Sequence, residues 1–228
     1  MNESAPSETS VASLDGRQMH FAKAFLLSFG VFCFGLVIDQ AARWTDRLAG
    51  IMNGLFQCIY MGIAWCIYLL PWSLLVFGLY RWRKWKRFRT HWMVAPSAAF
   101  FVLLLVILLI EPPTATNRFR SMARIELPAT ASDLHYSFSG GGLADYGDEY
   151  YFKCRPEDVQ KLIEGMKLSL DASYKGPGSY TIINGLPGCP DPESWAGSVQ
   201  YRRDEKLWFY YLLTNQGKNE VYIYIGCI

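Results

Sequence analysis

The stretch RWRKWKRFRTHW, residues 81–92, carries six basic side chains, no acidic one and four large aromatics. It lies between two long apolar runs. A short loop rich in lysine and arginine between hydrophobic spans marks the cytoplasmic side of a membrane. That loop orients the whole chain. It predicts that the 118 residues after the last apolar run lie on the opposite side.

Working outward from the loop, three runs qualify as membrane helices: residues 21–38, 51–80 and 93–110. About 20 apolar residues cross the hydrocarbon, so the second run must absorb its excess by tilt or by interfacial ends. Lys23 lies near the start of the first run, where its stem reaches back to the head groups. Pro96 falls in the first turn of the third, where a missing N–H does least harm. The first run reads as an uncleaved anchor, because residues 37–42 (VIDQAA) never place small side chains at both positions a signal-peptidase site needs. With 81–92 inside, the N-terminus is inside and residues 39–50 are outside.

Charge divides the chain in the same place. Residues 1–110 carry 10 basic and 5 acidic groups, and residues 111–228 carry 12 and 15, so a net +5 half precedes a net −3 half. The expected organisation is a disordered cytoplasmic tail at 1–20 and a three-helix transmembrane region at 21–110. A linker at 111–117 and an extracytoplasmic domain at 118–228 follow. A domain of that size can carry its own core.

In the second span Gly54, Cys58, Gly62 and Cys66 recur every fourth residue. Spacing of four keeps them on one helix face, and small side chains let another helix approach closely. The rival reading is a thiol metal site. Cys58 and Cys66 lie ~12 Å apart along a helix axis, too far to share one ion. Beyond Lys23 the spans hold no charged residue, so the intramembrane acids and bases that ion pathways use are missing.

The 81–92 loop reads as an amphipathic basic segment on anionic lipid. Arg81, Arg83, Lys84, Lys86, Arg87 and Arg89 face the head groups, and Trp82, Trp85 and Trp92 anchor at the interface. Interleaved basic and aromatic residues also suit nucleic acid, but twelve residues tethered at both ends leave no room for such a module. No nucleic-acid partner is expected. The partners expected are the bilayer itself and a protein, met through the spans or the outer domain.

In the C-terminal half, strand patterns run over residues 134–139 and 147–154, separated by Gly140-Gly141-Gly142 and the acids Asp145, Asp148 and Glu149. The acids read as a solvated loop; the ligand order of an EF-hand is missing. Arg155-Pro156-Glu157-Asp158 opens a helix, with proline at the first position and acids at the positive end. Val159, Leu162, Ile163 and Met166 form its apolar stripe. Weaker strands are expected at 179–183 and 198–202, and strong ones at 206–213 and 220–226 joined by a polar loop. The predicted fold is therefore three transmembrane helices followed by a small α+β domain, with an antiparallel sheet and one main helix.

Motifs for catalysis are missing from the sequence: there is no H-E-x-x-H, G-x-S-x-G, Walker loop or Cys-x-x-Cys. No cofactor or metal is called for, and the expectation is a protein that is not an enzyme. His135 is the only histidine of the C-terminal half and reads as a surface imidazole on a strand. An oxidising compartment would offer Cys189 a bridge to Cys154 or to Cys227, with one thiol left over.

Residues 127–163, LPATASDLHYSFSGGGLADYGDEYYFKCRPEDVQKLI, carry Leu127, Pro128, Thr130, Ala131, His135, Asp145, Tyr146, Pro156, Glu157 and Asp158 in a recognisable order. The segment resembles uncharacterised bacterial membrane-anchored or lipoprotein envelope domains. The resemblance implies a small α+β envelope domain and no activity. The reading is an inner-membrane protein of a bacterium, N-terminus cytoplasmic, displaying a binding or protein-interaction domain outside. The alternative is an accessory subunit of an envelope membrane complex, and an envelope enzyme ranks third. Alkaline phosphatase fused after Ile228 is expected to be active and a fusion after Arg89 inactive; the opposite pattern would overturn the orientation.

Overall fold

The structure, a computed structural model, describes residues 9–83, 89–141, 145–177, 183 and 185–227. Two compact units emerge: residues 1–40 with 54–107, and residues 41–53 with 108–228.

The apolar runs form three helices, α1 (Thr9–Arg43), α2 (Arg47–Arg83) and α3 (Arg89–Ile110). Each contains a stretch long and apolar enough to cross a membrane: Ala22–Arg43, Arg47–Trp82 and Thr90–Ile110. The first helix takes in residues 9–20, which corrects the expected disordered tail over that stretch. Between α1 and α2 the chain turns at Asp46, whose carboxylate accepts the Leu48 N–H at 2.9 Å and caps the second helix. Residues 84–88 of the basic loop lie outside the described residues.

One polar node joins the three helices. Ser28 of α1 and Ser97 of α3, both fully buried, share a 2.8 Å hydrogen bond. Trp65 of α2 donates its indole N–H to the same Ser97 hydroxyl at 3.1 Å. Phe32 stacks on Trp65 with centroids 4.6 Å apart. Polar groups between apolar helices must find partners in each other, so this node fixes which faces meet. Its serines carry no periodic pattern, and sequence reasoning passed over them.

The small ladder of α2 lies against α1. A Cβ on Gly54 would stand 2.7 Å from the Val37 Cα, and one on Gly62 would stand 2.8 Å from the Phe29 ring. Between them the Cys58 thiol donates to the Cys33 carbonyl at 3.6 Å. Gly54, Cys58 and Gly62 ascend by four residues while Val37, Cys33 and Phe29 descend by four, as antiparallel helices require. Cys66 continues the ladder into an open apolar groove that Cys58, Gly62, Ile63 and Leu70 also line.

In the second unit come α4 (Ala115–Ala123), β1 (Ser132–Gly141), β2 (Asp145–Lys153), α5 (Pro156–Gly165), β3 (Ser169–Leu170), β4 (Val199–Glu205), β5 (Trp208–Thr214) and β6 (Glu220–Cys227). The strands form one six-stranded sheet in the order β1-β2-β6-β5-β4-β3, every pair antiparallel. Both faces are covered. Tyr150, Phe152, Leu212, Val221, Ile223 and Ile225 pack under Phe119 of α4 and Val159 and Leu162 of α5. Tyr151, Leu213 and Tyr222 pack on the other face against Ile183, Leu186 and Trp195 from the β3–β4 connection. A strand covered on both faces is apolar at successive positions rather than alternate ones, which accounts for the VYIYI run of β6.

Three expectations change. Residues 115–117, read as linker, open α4: the Thr114 hydroxyl accepts the Asn117 N–H at 3.3 Å and caps the helix. The sheet face therefore carries two helices rather than one. Of the weak strand at 179–183, residues 179–182 lie outside the described residues, and Ile183 enters the core without being in a strand.

Gly54 meets backbone and Gly62 meets a side chain that can rotate. Gly54→Leu is therefore expected to lower the amount of folded protein in membranes more than Gly62→Leu. Equal abundance of both variants with the native chain, measured by immunoblot of membrane fractions, would show that the α1–α2 contact does not set stability.

Candidate functional site

The most concentrated chemistry of the second unit lies on the helix side of the sheet, beginning with a buried charge. Asp148 of β2 is fully buried. Arg118 of α4 reaches it through two nitrogens: Nη2 lies 2.7 Å from Oδ2 and Nε lies 3.2 Å from Oδ1. The Tyr136 hydroxyl of β1 donates to Oδ1 at 2.7 Å. The guanidinium also sits over the Phe138 ring, 4.6 Å from its centroid. Burial pushes the Asp148 carboxyl above the usual carboxylate range, and the Arg118 charge and both hydrogen bonds pull it back. The same partners outweigh desolvation at Arg118 and raise its pKa. The cluster thus holds α4 on the sheet. It leaves no open side for a substrate.

The same helix side holds a cleft of about 390 Å³ lined by Ile125, Leu127, Pro128, Thr130, Asp158 and Leu162, with Glu126, Arg155 and Lys161 as its other charged residues. Asp158, a tenth exposed, is its polar centre. Its Oδ2 accepts the Thr130 hydroxyl at 2.5 Å and its Oδ1 accepts Lys161 Nζ at 2.8 Å. Arg155 Nε approaches Oδ2 at 3.8 Å. The lysine contact, then the threonine, holds the Asp158 carboxyl below the usual range. Asp158 and Lys161 share one face of α5 by their spacing of three, and Arg155 is the extended residue that caps its start. With Glu126 the lining carries two cations and two carboxylates, so its charge is balanced above an apolar floor; Glu126 itself leans toward Arg120 at 3.7 Å. That arrangement suits a small ligand with an apolar body and a polar head, such as a carboxylate, that can take up Arg155 or Lys161 from their contacts with Asp158.

The cleft unites residues far apart in sequence. Leu127, Pro128 and Thr130 come from the opening of the segment with the envelope-domain resemblance, and Asp158 from its helix start. His135 and Tyr146 of the same segment lie elsewhere. His135 Nε2 is 3.3 Å from Asp133 Oδ1, and Lys153 Nζ lies 3.0 Å from Oδ2 of the same aspartate. Tyr146 packs its ring against Trp208. The solvated acidic loop is corrected: Asp148 is buried in its ion pair, while Glu149 points to the opposite face and accepts the Gly185 N–H at 3.0 Å. The Asp145 side chain lies outside the described residues. Among the described residues no three His, Cys, Asp or Glu side chains gather to hold a metal.

Neither expected disulfide is formed. Cys154 lies in the core beneath the helices, and Cys189 packs on the opposite face of the sheet. Cys227 pairs with Tyr146 at the far end of β2 from Cys154. Burial pushes the Cys154 thiol up to about 11, which suppresses its reactivity. For the lipid-contact residues, Lys84, Trp85, Lys86 and Arg87 lie outside the described residues; Trp82 and Trp92 are exposed on α2 and α3.

No protein-family model, curated protein or solved structure matches this chain.

Arg118→Ala would strand a buried carboxylate and is expected to cost about 3–5 kcal/mol. The Arg118→Met, Asp148→Leu pair should recover part of that loss. Thermal melts of the full chain in detergent measure both, and an unchanged melt for Arg118→Ala would remove the pair from the stabilising core. Asp158 has a depressed folded pKa, so its stabilising effect is present above the unfolded aspartate pKa and fades as pH falls through the folded one. Asp158→Asn is expected to flatten the acid limb of the melting temperature against pH. An identical limb would contradict the cleft's charge geometry.

Proposed function

We propose that this protein is held in a bacterial cytoplasmic membrane by its three helices and displays the C-terminal domain outside as a small-ligand binding module. The observation that carries the binding reading is the cleft at the start of α5. It joins an apolar floor, a nearly buried carboxylate fixed by Thr130, and a rim on which Arg155 and Lys161 stand with Glu126. Such a pocket fixes a ligand's orientation through a few polar groups and gains affinity from its apolar lining.

Two observations support the outward orientation. Six positive charges lie in 81–92, and the α1–α2 turn groups with the C-terminal domain as one compact unit. The accessory-subunit reading keeps one observation of its own. The small ladder is occupied by α1 of the same chain, but the groove around Cys66 and Leu70 stays open. That groove is where a further apolar helix would pack.

The test is a melt of the full chain in mild detergent with amphipathic monocarboxylates such as octanoate and phenylacetate. A ligand at 100 times its Kd stabilises by about 2.7 kcal/mol. An upward shift that vanishes in Lys161→Ala is the expected result. No shift with any carboxylate, together with a stoichiometric protein recovered by pull-down, would replace the binding reading with the subunit reading.

A further inference from the structure

The face of the sheet opposite the cleft carries a second feature, built from two glycines and two rings. Gly147 of β2 and Gly226 of β6 are direct cross-strand partners, and Phe209 of β5 is the next partner along the same row. The two glycines leave a bare strip of backbone, and the rings of Phe209 and Tyr224 lie over it. A Cβ on Gly226 would stand 2.7 Å from both rings, and one on Gly147 would collide with the Tyr224 ring and hydroxyl. The two rings are parallel within 9°, with centroids 6.0 Å apart. Tyr211 stands at 67° to Phe209, 6.3 Å away, as a low wall. All three rings are half-buried, so part of their surface faces out. Glycine here is a requirement of close approach: any side chain at 147 or 226 would lift the rings off the sheet.

Acceptors flank the rings. Glu149 is the cross-strand partner of Tyr224, and Asp204 is the partner of Phe209. Ser139 faces Gly147 from β1. The Gly185 N–H holds the Glu149 carboxylate in place. Ring faces carry negative quadrupole charge, and the rim adds the Glu149 carboxylate and an Asp204 carboxylate that lies 3.8 Å from Arg202, the partner of Tyr211. A compact cation prefers rings that enclose it, whereas these two lie parallel as a platform. The ligand that fits has a flat face of weakly positive C–H groups and hydroxyl donors around its edge. That is the chemistry of a pyranose sugar with equatorial hydroxyls.

We propose that the Phe209–Tyr224 platform binds a neutral glycan chain, one sugar ring on each aromatic ring, with Glu149 and Asp204 accepting hydroxyl protons. The proposal stands on the opposite sheet face from the cleft, and neither reading depends on the other.

The experiment uses the full chain in detergent with cellotetraose and chitotetraose as probes, read by saturation-transfer NMR and titration calorimetry. Saturable binding is expected with at least one probe, with transfer strongest to the axial ring protons. Phe209→Leu and Tyr224→Leu should each weaken it about tenfold, and Lys161→Ala should leave it unchanged. Glu149→Gln and Asp204→Asn serve as variants that keep the rings, and each should weaken binding while the melting temperature holds. Absence of binding by both probes overturns the proposal. So does binding that survives both ring substitutions, or tetramethylammonium binding with no sugar binding.

Discussion

A carboxylate buried in the middle of β2 governs the second unit. Asp148 has no exposure, and a charge in that position is tolerable only with a full set of partners. Arg118 is the cation that supplies them, and it arrives on α4, which begins at Ala115, five residues after α3 ends at Ile110. The requirement to neutralise one aspartate therefore dictates where the chain goes as soon as it leaves the third helix. Phe138 lies under the guanidinium and against Trp44, so the turn between the first two helices joins the same patch. Tyr136 completes the set from β1, and three separate parts of the chain meet at one charge.

The sheet built around that charge has no solvent face in its centre. Tyr150, Tyr151 and Tyr222 are among the largest fully buried side chains. Tyrosine is used here as core, with its hydroxyl turned to a partner where one is in reach. Tyr222 donates to the Pro190 carbonyl at 2.7 Å, and Tyr151 donates to Glu220 at 3.2 Å. The connection between β3 and β4, poor in regular structure, is thereby tied down by the sheet it covers.

Patterns with a short period were legible in the sequence. The apolar runs, the ladder of four, the alternating strands and the proline-led start of α5 all appear in the fold near their expected places. Features that depend on residues distant in sequence were not legible. Asp148 looked like a loop acid because Arg118 lies 30 positions away. The signals for α4 were present: Thr114 as a cap and Phe119, Met122 and Ala123 as a stripe. They were masked by Pro112-Pro113 and by the arginines between them. The cleft was half legible, since Thr130 and Asp158 stood in one quoted segment but nothing showed that they touch. The disulfide reading failed because spacing does not tell which face of a sheet a thiol takes.

The outer edge of the sheet is finished by a residue made long before it. The Phe138 N–H, on edge strand β1, donates to the Thr45 hydroxyl at 2.8 Å across 93 positions of sequence. An unpaired strand edge is a template on which another chain can add itself. Here the helical turn stands in that place, and Trp44 screens it. The C-terminal domain is thus not self-sufficient at its margin, although its core lies within its own residues. Excised from the helices, it would keep its interior and lose its guard, and the tendency to join strand to strand with its neighbours would follow from a single missing turn.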